Sequence, residues 1–261
     1  MIRAMRTAAS GMQAQQMQVD TLANNIANVN TTAFKANRVN FRSLLYSTIR
    51  EPGAATGAKQ MNPTGLQIGS GVEVSSSIKQ FAQGEMELTG NDYDLLIQGE
   101  GFFRIDMGNG EFRYTRDGSF RKDVDGAIVT VDGHKLDPAI QIPADAINIT
   151  IAQDGTVQGT IPGSDTPSEL GKIGIVTFAN PAGLRAEGAN LYRVTASSGV
   201  AKDQTPGNKG AGFLRQGFLE RSNVSVVNEL ISLIQAQRNY EVNSRTIRVS
   251  DEMLQQVSNL I

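Results

Sequence analysis

Residues 226–261 read VVNELISLIQAQRNYEVNSRTIRVSDEMLQQVSNLI, and apolar side chains recur in this stretch at an unbroken spacing of seven: Val226, Leu233, Tyr240, Ile247, Leu254 and Ile261. The same spacing near the other end gives Met5, Met12, Val19 and Ile26. A seven-residue apolar repeat marks helices that pack lengthwise on other helices. The spacing predicts one helix over residues 2–29 and another that opens at the Ser222-Asn223 cap pair and runs to residue 261. Asn28, Asn30, Thr31 and Thr32 end the first helix, because short polar side chains compete for backbone hydrogen bonds.

The stripe on the last helix is narrow. The adjoining seam position holds Ala236, Asn243, Ser250 and Val257, small or polar residues that suit close packing in a crowded bundle. Six large apolar side chains in a helix of this length contribute less than ordering its backbone costs. Two outcomes are compatible with that balance. Either the termini fold when copies assemble, or they dock on the protein's own β domain.

Between the helices the pattern changes. Phe34 to Ile49 is an apolar-rich connector, either a second short helix or an extended strip. Residues 51–71 hold Pro52, Pro63 and five glycines, too turn-rich for a simple link and suited to a loop or extended arm. From residue 72 to 200, short apolar alternations are separated by the hairpin dipeptides Asn109-Gly110, Asp117-Gly118, Asp125-Gly126, Asp132-Gly133 and Asp154-Gly155. The expected class is therefore α+β. Its terminal helices pair as a coiled-coil-like domain (1–30 and 222–261). Connecting segments (31–90 and 200–221) carry an inserted arm at about 46–71. A central β-rich region (91–199) forms a barrel or sandwich.

Charge is uneven. Residues 1–50 carry six basic side chains against one acid, Asp20, whereas residues 51–219 carry 14 basic and 20 acidic ones. The basic end is either a solvated helix face or a surface drawn to the acidic middle of another copy. A net charge of −2 argues against a general nucleic-acid binder. The chain has no cysteine and no apolar run of membrane-spanning length, and its N-terminus is too polar for a cleaved secretory signal.

Catalytic material is sparse. The single histidine, His134, sits beside the Asp132-Gly133 turn, so common zinc sites and a Ser-His-Asp triad lack partners. Asp123-Val-Asp125-Gly126 reads as a hairpin turn rather than a calcium loop. Gly99-Glu-Gly101 leads into a strand rather than a helix and is no dinucleotide loop. Asp92 and Asp94 would share one face of a strand. No catalytic residue, metal ligand or cofactor is expected.

Three separated motifs carry a resemblance. Leu22-Ala-Asn-Asn-Ile-Ala-Asn-Val-Asn-Thr-Thr-Ala-Phe-Lys35 closely resembles the N-terminal signature of bacterial flagellar rod and hook (axial) proteins. Gly99-Glu-Gly-Phe-Phe103 with Tyr114-Thr-Arg-Asp-Gly-Ser-Phe120 is similar to that family's middle. Residues 222–245, continued by Asp251-Glu-Met-Leu-Gln255, resemble its C-terminal motif. Ala33 departs from the usual glycine, and Ala would be strained in a turn that needs positive φ.

The resemblance implies a structural subunit of a hollow helical polymer that transmits torque, with the terminal helices inside and the β region outside. The implied assembly interface is Met5, Met12, Val19, Leu22, Asn24, Asn25, Ile26, Asn28, Leu233, Tyr240, Ile247 and Leu254. Tyr46, Pro52, Gly53, Pro63, Gly65 and Leu66 belong to an insertion implied to stiffen the shaft. Implied partners are further copies, proximal rod proteins, the hook protein, P-ring and L-ring bushing proteins, and the flagellar type III export apparatus, with no nucleic acid and no membrane insertion. The implied location is the basal body, from periplasm to outer membrane. Other axial subunits, an adhesin with a coiled-coil stalk, and an enzyme with an unrecognised carboxylate site are the alternatives.

Overall fold

The computed structural model describes residues 2–52, 55–57, 60–61, 64–161, 167–208 and 210–259. The chain is α+β, with a helix at each end and a β-rich centre, and it divides into two compact units.

The first unit comprises residues 1–27, 37–78 and 225–261. Helix α1 (Ile2–Ala27) and helix α2 (Val226–Asn259) pack on each other. Small residues set the approach. Ala8 and Ala14 of α1 and Ala236 and Ser250 of α2 are buried. A Cβ on Gly11 would come within 2.9 Å of Asn243 Nδ2. The connector is extended rather than helical: β1 (Asn37–Ser43) continues almost directly into β2 (Tyr46–Arg50). β2 pairs antiparallel with β3 (Leu66–Gly69), and β1 pairs with β4 (Val72–Lys79). The β2–β3 hairpin is the base of the expected arm, and Ala55–Gly57 pairs with Gln60–Met61 further out. Gly53 and Pro63 lie outside the described residues.

The second unit comprises residues 28–36 and 79–224. Its strands are β5 (Met86–Leu88), β6 (Leu95–Gln98), β7 (Phe103–Asp106), β8 (Phe112–Thr115), β9 (Arg121–Lys122), β10 (Ile128–Val129), β11 (Lys135–Asp137), β12 (Asn148–Ile151), β13 (Thr156–Thr160), β14 (Ser168–Lys172), β15 (Ile175–Thr177), β16 (Arg185–Gly188), β17 (Leu191–Arg193), β18 (Lys202–Gln204), β19 (Phe213–Gln216) and β20 (Phe218–Glu220). Seven of them form one sheet in the order β9-β10-β11-β7-β8-β17-β16, and β12-β13-β14 form a second. β6 pairs with β19, and β5 with β20.

The Gly99–Phe103 motif is placed where the interior divides. Adjacent residues of an extended chain point to opposite sides. Phe103 accordingly enters the main core with Leu95, Ile105, Phe120 and Leu214, and Phe102 enters an aromatic cluster with Tyr114, Phe178 and Tyr192. Gly99 and Gly101 have φ of +111° and +146°, which only glycine adopts without strain. The later motif works the same way: Tyr114 joins the aromatic cluster, and Phe120 stacks edge-on against Phe103 at 5.1 Å. Gly118 lies against the Leu95 carbonyl so closely that a Cβ would sit 1.7 Å from that oxygen. Asp92 and Asp94 do not share a strand face. Asp92 is exposed in a turn, and Asp94 is buried and accepts from the Thr89 hydroxyl at 2.5 Å.

Candidate assembly interface

Helix α2 has two apolar faces. On the face toward α1, Ala236 and Ser250 are buried, while Leu233, Asn243, Ile247 and Leu254 are half-buried. Tyr240 lies at its margin, 43% exposed. It lines a groove of about 370 Å³ with Gln16, Val19, Gln237 and Glu241. The small second-seam residues make the closest contact, and the seven-residue stripe flanks them.

Val227, Ile231, Ile234, Val242 and Val249 lie on the opposite face and are between 47% and 66% exposed. Spacings of three, four, seven and eight place them along one side of the helix. The exposed Arg238 and Arg245 lie along the same side, so charge interrupts the row; apolar residues gathered on one exposed helix face are nonetheless the mark of a docking surface.

On α1, Leu22 is buried, and Met5, Met12, Val19 and Ile26 are half-buried. Asn25 is 1% exposed. Its side-chain oxygen accepts the Asn37 backbone N–H at 2.9 Å, and its Nδ2 donates to the Asn37 carbonyl at 2.9 Å and to Glu229 Oε2 on α2 at 3.3 Å. The Asn25 amide thus replaces a strand neighbour for Asn37 while tying α1 to α2. Asn24 lies on the exposed flank, and Asn28 falls beyond the helix end, where its side-chain oxygen accepts from the Thr31 hydroxyl.

In the arm, Tyr46 and Leu66 are exposed, as are Leu45, Ile49 and Ile68 beside them. Pro52 is exposed at the turn after β2, and Gly65 approaches it so closely that a Cβ would lie 2.7 Å from Pro52 Cδ.

In the second unit, the N-terminal and middle motifs meet at one buried ion cluster. The Lys35 ammonium, 0% exposed, donates to Glu220 Oε1 at 2.6 Å and to the Ala82 carbonyl at 2.8 Å. Arg116 approaches Glu220 Oε2 at 3.2 Å, and the Gly84 N–H donates to Oε1 at 2.9 Å. Burial lowers the Lys35 pKa; the Glu220 carboxylate opposes that shift and Arg116 adds to it. Around the cluster, the Ala33 N–H donates to the Glu220 carbonyl, the Ala36 N–H donates to Asn223 Oδ1, and Phe34, Ala36 and Val224 pack together. The segments by which the chain enters and leaves this unit are held side by side. Ala33 has φ +55° and is buried, so the strain expected of Ala in a glycine position is present.

Glu220 belonged to none of the quoted motifs and was missed as a structural residue. The available signal was a charge beside the strand residue Leu219. Ser222 and Asn223 do not cap the last helix, which begins at Val226; the Asn223 side chain instead bonds Ala36, Gln80 and Ala82. Among the described residues, no group of three or more His, Asp or Glu is placed to hold a metal, and no helix is long and apolar enough to cross a membrane.

The chain thus pairs its two end helices and leaves apolar residues of α2 exposed on the opposite face. Comparison with known proteins gives its kind. Residues 5–35 match the family model described as flagella basal body rod protein, residues 96–159 that of the flagellar hook protein FlgE/F/G D1 domain, and residues 215–260 that of the flagellar basal body rod FlgEFG protein C-terminal region. The chain is 46% identical to the flagellar basal-body rod protein FlgG of Borreliella burgdorferi, over 100% of this chain and 99% of the relative. It is 45% identical to FlgG of Caulobacter vibrioides over 99% of both, and 41% identical to FlgG of Bacillus subtilis over 100% of this chain and 99% of the relative. The chain belongs to the flagellar basal-body rod protein family, and is a structural subunit of the rod in the flagellar basal body.

Proposed function

We propose that this subunit builds the distal part of the rod, as a rigid hollow drive shaft that carries torque from motor to hook and encloses the export channel. The observation that carries the reading is the open face of α2, Val227, Ile231, Ile234, Val242 and Val249. Helices α1 and α2 of successive copies pack in coiled-coil fashion to form the inner tube, and that face is filled by neighbouring copies. The seven-residue repeat supports this packing. The assembly residues are those of the two helix stripes, Met5 to Asn28 and Leu233 to Leu254. The β unit, read as a barrel-like or sandwich-like body, lies outside. The arm, with Tyr46, Pro52, Gly53, Pro63, Gly65 and Leu66, stiffens the shaft against adjacent copies.

The shaft crosses the periplasm to the outer membrane. Its partners are the proximal rod proteins, the hook protein and the P-ring and L-ring bushing proteins. The flagellar type III apparatus exports the subunit without a cleaved signal. Its work is mechanical and involves no catalysis. Many weak contacts repeated along a lattice meet that need better than one strong site.

The test is a pair of charge substitutions on the open face, Ile234→Asp and Val249→Asp. Each leaves the α1 contact in place and puts a carboxylate where a neighbour would pack. Electron microscopy of basal bodies from cells carrying these variants should show no distal rod, while the purified monomers keep the wild-type circular dichroism spectrum. Normal rods in both variants would remove the reading.

A further inference from the structure

The hairpin between β7 and β8 turns at Asn109-Gly110. Asn109-Gly110 is the only Asn-Gly pair in the chain. Asn109 is exposed. Its neighbours Gly108 and Gly110 have φ of +84° and +72°, and a Cβ built on either meets nothing within 4 Å. The loop is closed at its base by the Met107 N–H donating to the Glu111 carbonyl at 3.1 Å and the Gly108 N–H to Asp106 Oδ1 at 2.8 Å. The main chain at Asn109 and Gly110 is thus unpacked and lacks the side chain that would hinder it.

We propose that Asn109 deamidates in the folded protein through a succinimide. The Gly110 backbone nitrogen gives up its proton and attacks the Asn109 side-chain carbonyl carbon. A carbon–nitrogen bond forms, the Cγ–Nδ2 bond breaks, and the leaving amine takes up a proton to depart as ammonia. Water then opens the five-membered ring at either carbonyl and leaves aspartate or isoaspartate. No oxidant, reductant or enzyme is needed. The other reactive pair, Asn243-Ser244, lies within α2, where the helical backbone holds the attacking amide away from the side chain.

The product changes the tip in two ways. A carboxylate appears beside Asp106 and Glu111, and isoaspartate lengthens the main chain by a methylene inside a tight turn. At the base of the hairpin, Arg113 pairs with Glu111 at 2.8 Å and with Glu187 at 2.6 Å. An outer surface of the β unit therefore gains charge with age. This inference does not depend on the rod reading.

The test incubates the purified, folded protein in mildly alkaline buffer and follows the tryptic peptide 105–113 by mass spectrometry, with isoaspartyl methyltransferase labelling as a second readout. Amide-to-acid conversion should appear in this peptide before any other asparagine peptide and should quicken as pH rises. Gly110→Ala should slow it, because a Cβ there restricts the backbone and shields the attacking nitrogen. Asn109→Gln, which keeps the amide but needs a larger ring, should abolish it. If peptide 105–113 stays unmodified in the folded protein while a urea-unfolded sample converts, the proposal is overturned. It is equally overturned if the signal persists in Asn109→Gln.

Discussion

Lys35 and Glu220 are 2.6 Å apart with both side chains withdrawn from solvent, which joins a residue near the N-terminus to one just before the last helix. The pair is not balanced, because Arg116 shares the same carboxylate. One buried anion therefore serves two cations. The two substitutions at this site are consequently unequal. Glu220→Gln strands both cations and should cost about 3–5 kcal/mol. Lys35→Met leaves Glu220 with Arg116 and the Gly84 N–H, and should cost only about 1–3 kcal/mol. Urea unfolding followed by the near-ultraviolet dichroism of the tyrosines, three of which (Tyr93, Tyr114 and Tyr192) lie in the β unit, measures the difference.

Burial pushes the Tyr192 phenol up to about 12, against an ordinary value of 10.0. A raised folded pKa means that the native state holds the proton longer than the unfolded chain. The stabilisation is complete below pH 10 and is lost as pH rises from 10 through about 12. The loss should reach about 2–3 kcal/mol. Lys35 acts in the opposite sense. Its lowered pKa makes the unfolded chain bind more protons just below the ordinary lysine value, so stability rises with pH there. Comparing unfolding curves of wild type and Tyr192→Phe across this range isolates the tyrosine. The variant should lose markedly less stability above pH 10.

Ala33 carries a left-handed backbone at φ +55°. Relief of that conformation is worth about 1–2 kcal/mol, and loss of its buried methyl returns about 0.8 kcal/mol. Ala33→Gly should therefore raise stability by roughly 0.5 kcal/mol, read as a higher urea midpoint at unchanged slope. A lower midpoint would mean that the methyl contact outweighs the strain.

The arm exposes Tyr46, Ile49 and Leu66 on a two-stranded ribbon whose backbone bonds do not depend on them. Replacing all three by serine should leave monomer stability within about 0.5 kcal/mol. It should give shafts that bend more in electron micrographs. Equally straight shafts would show that the arm's apolar side chains play no part in stiffness.

The end helices were legible because a seven-residue repeat states both the element and its habit of packing on other helices. The orientation of α2 was legible in part. The seven-residue stripe marks Leu233, Tyr240, Ile247 and Leu254, and the adjoining seam position marks Ala236 and Ser250 as suited to close packing; these two are the deepest. Small side chains permit the close approach and are buried by it. The second apolar face went unnoticed because Val227, Ile234, Val242 and Val249 do not repeat at a strict seven. Asn25 stands in the sequence beside Asn24 and Asn28 with nothing to set it apart, and its main partner, the Asn37 backbone, follows from the turn after α1 and leaves no periodic trace. Glu220 and Arg116 meet across 104 residues, and no local pattern pairs them.

The central claim is that the outer face of α2 is covered only by other copies of this chain. Amide hydrogen exchange, read segment by segment in the purified monomer and in assembled rods, tests it most directly. The account predicts that residues 226–250 exchange much more slowly after assembly, while the core strands at 95–98 and 103–106 change little. Equal exchange of residues 226–250 in monomer and rod would contradict it.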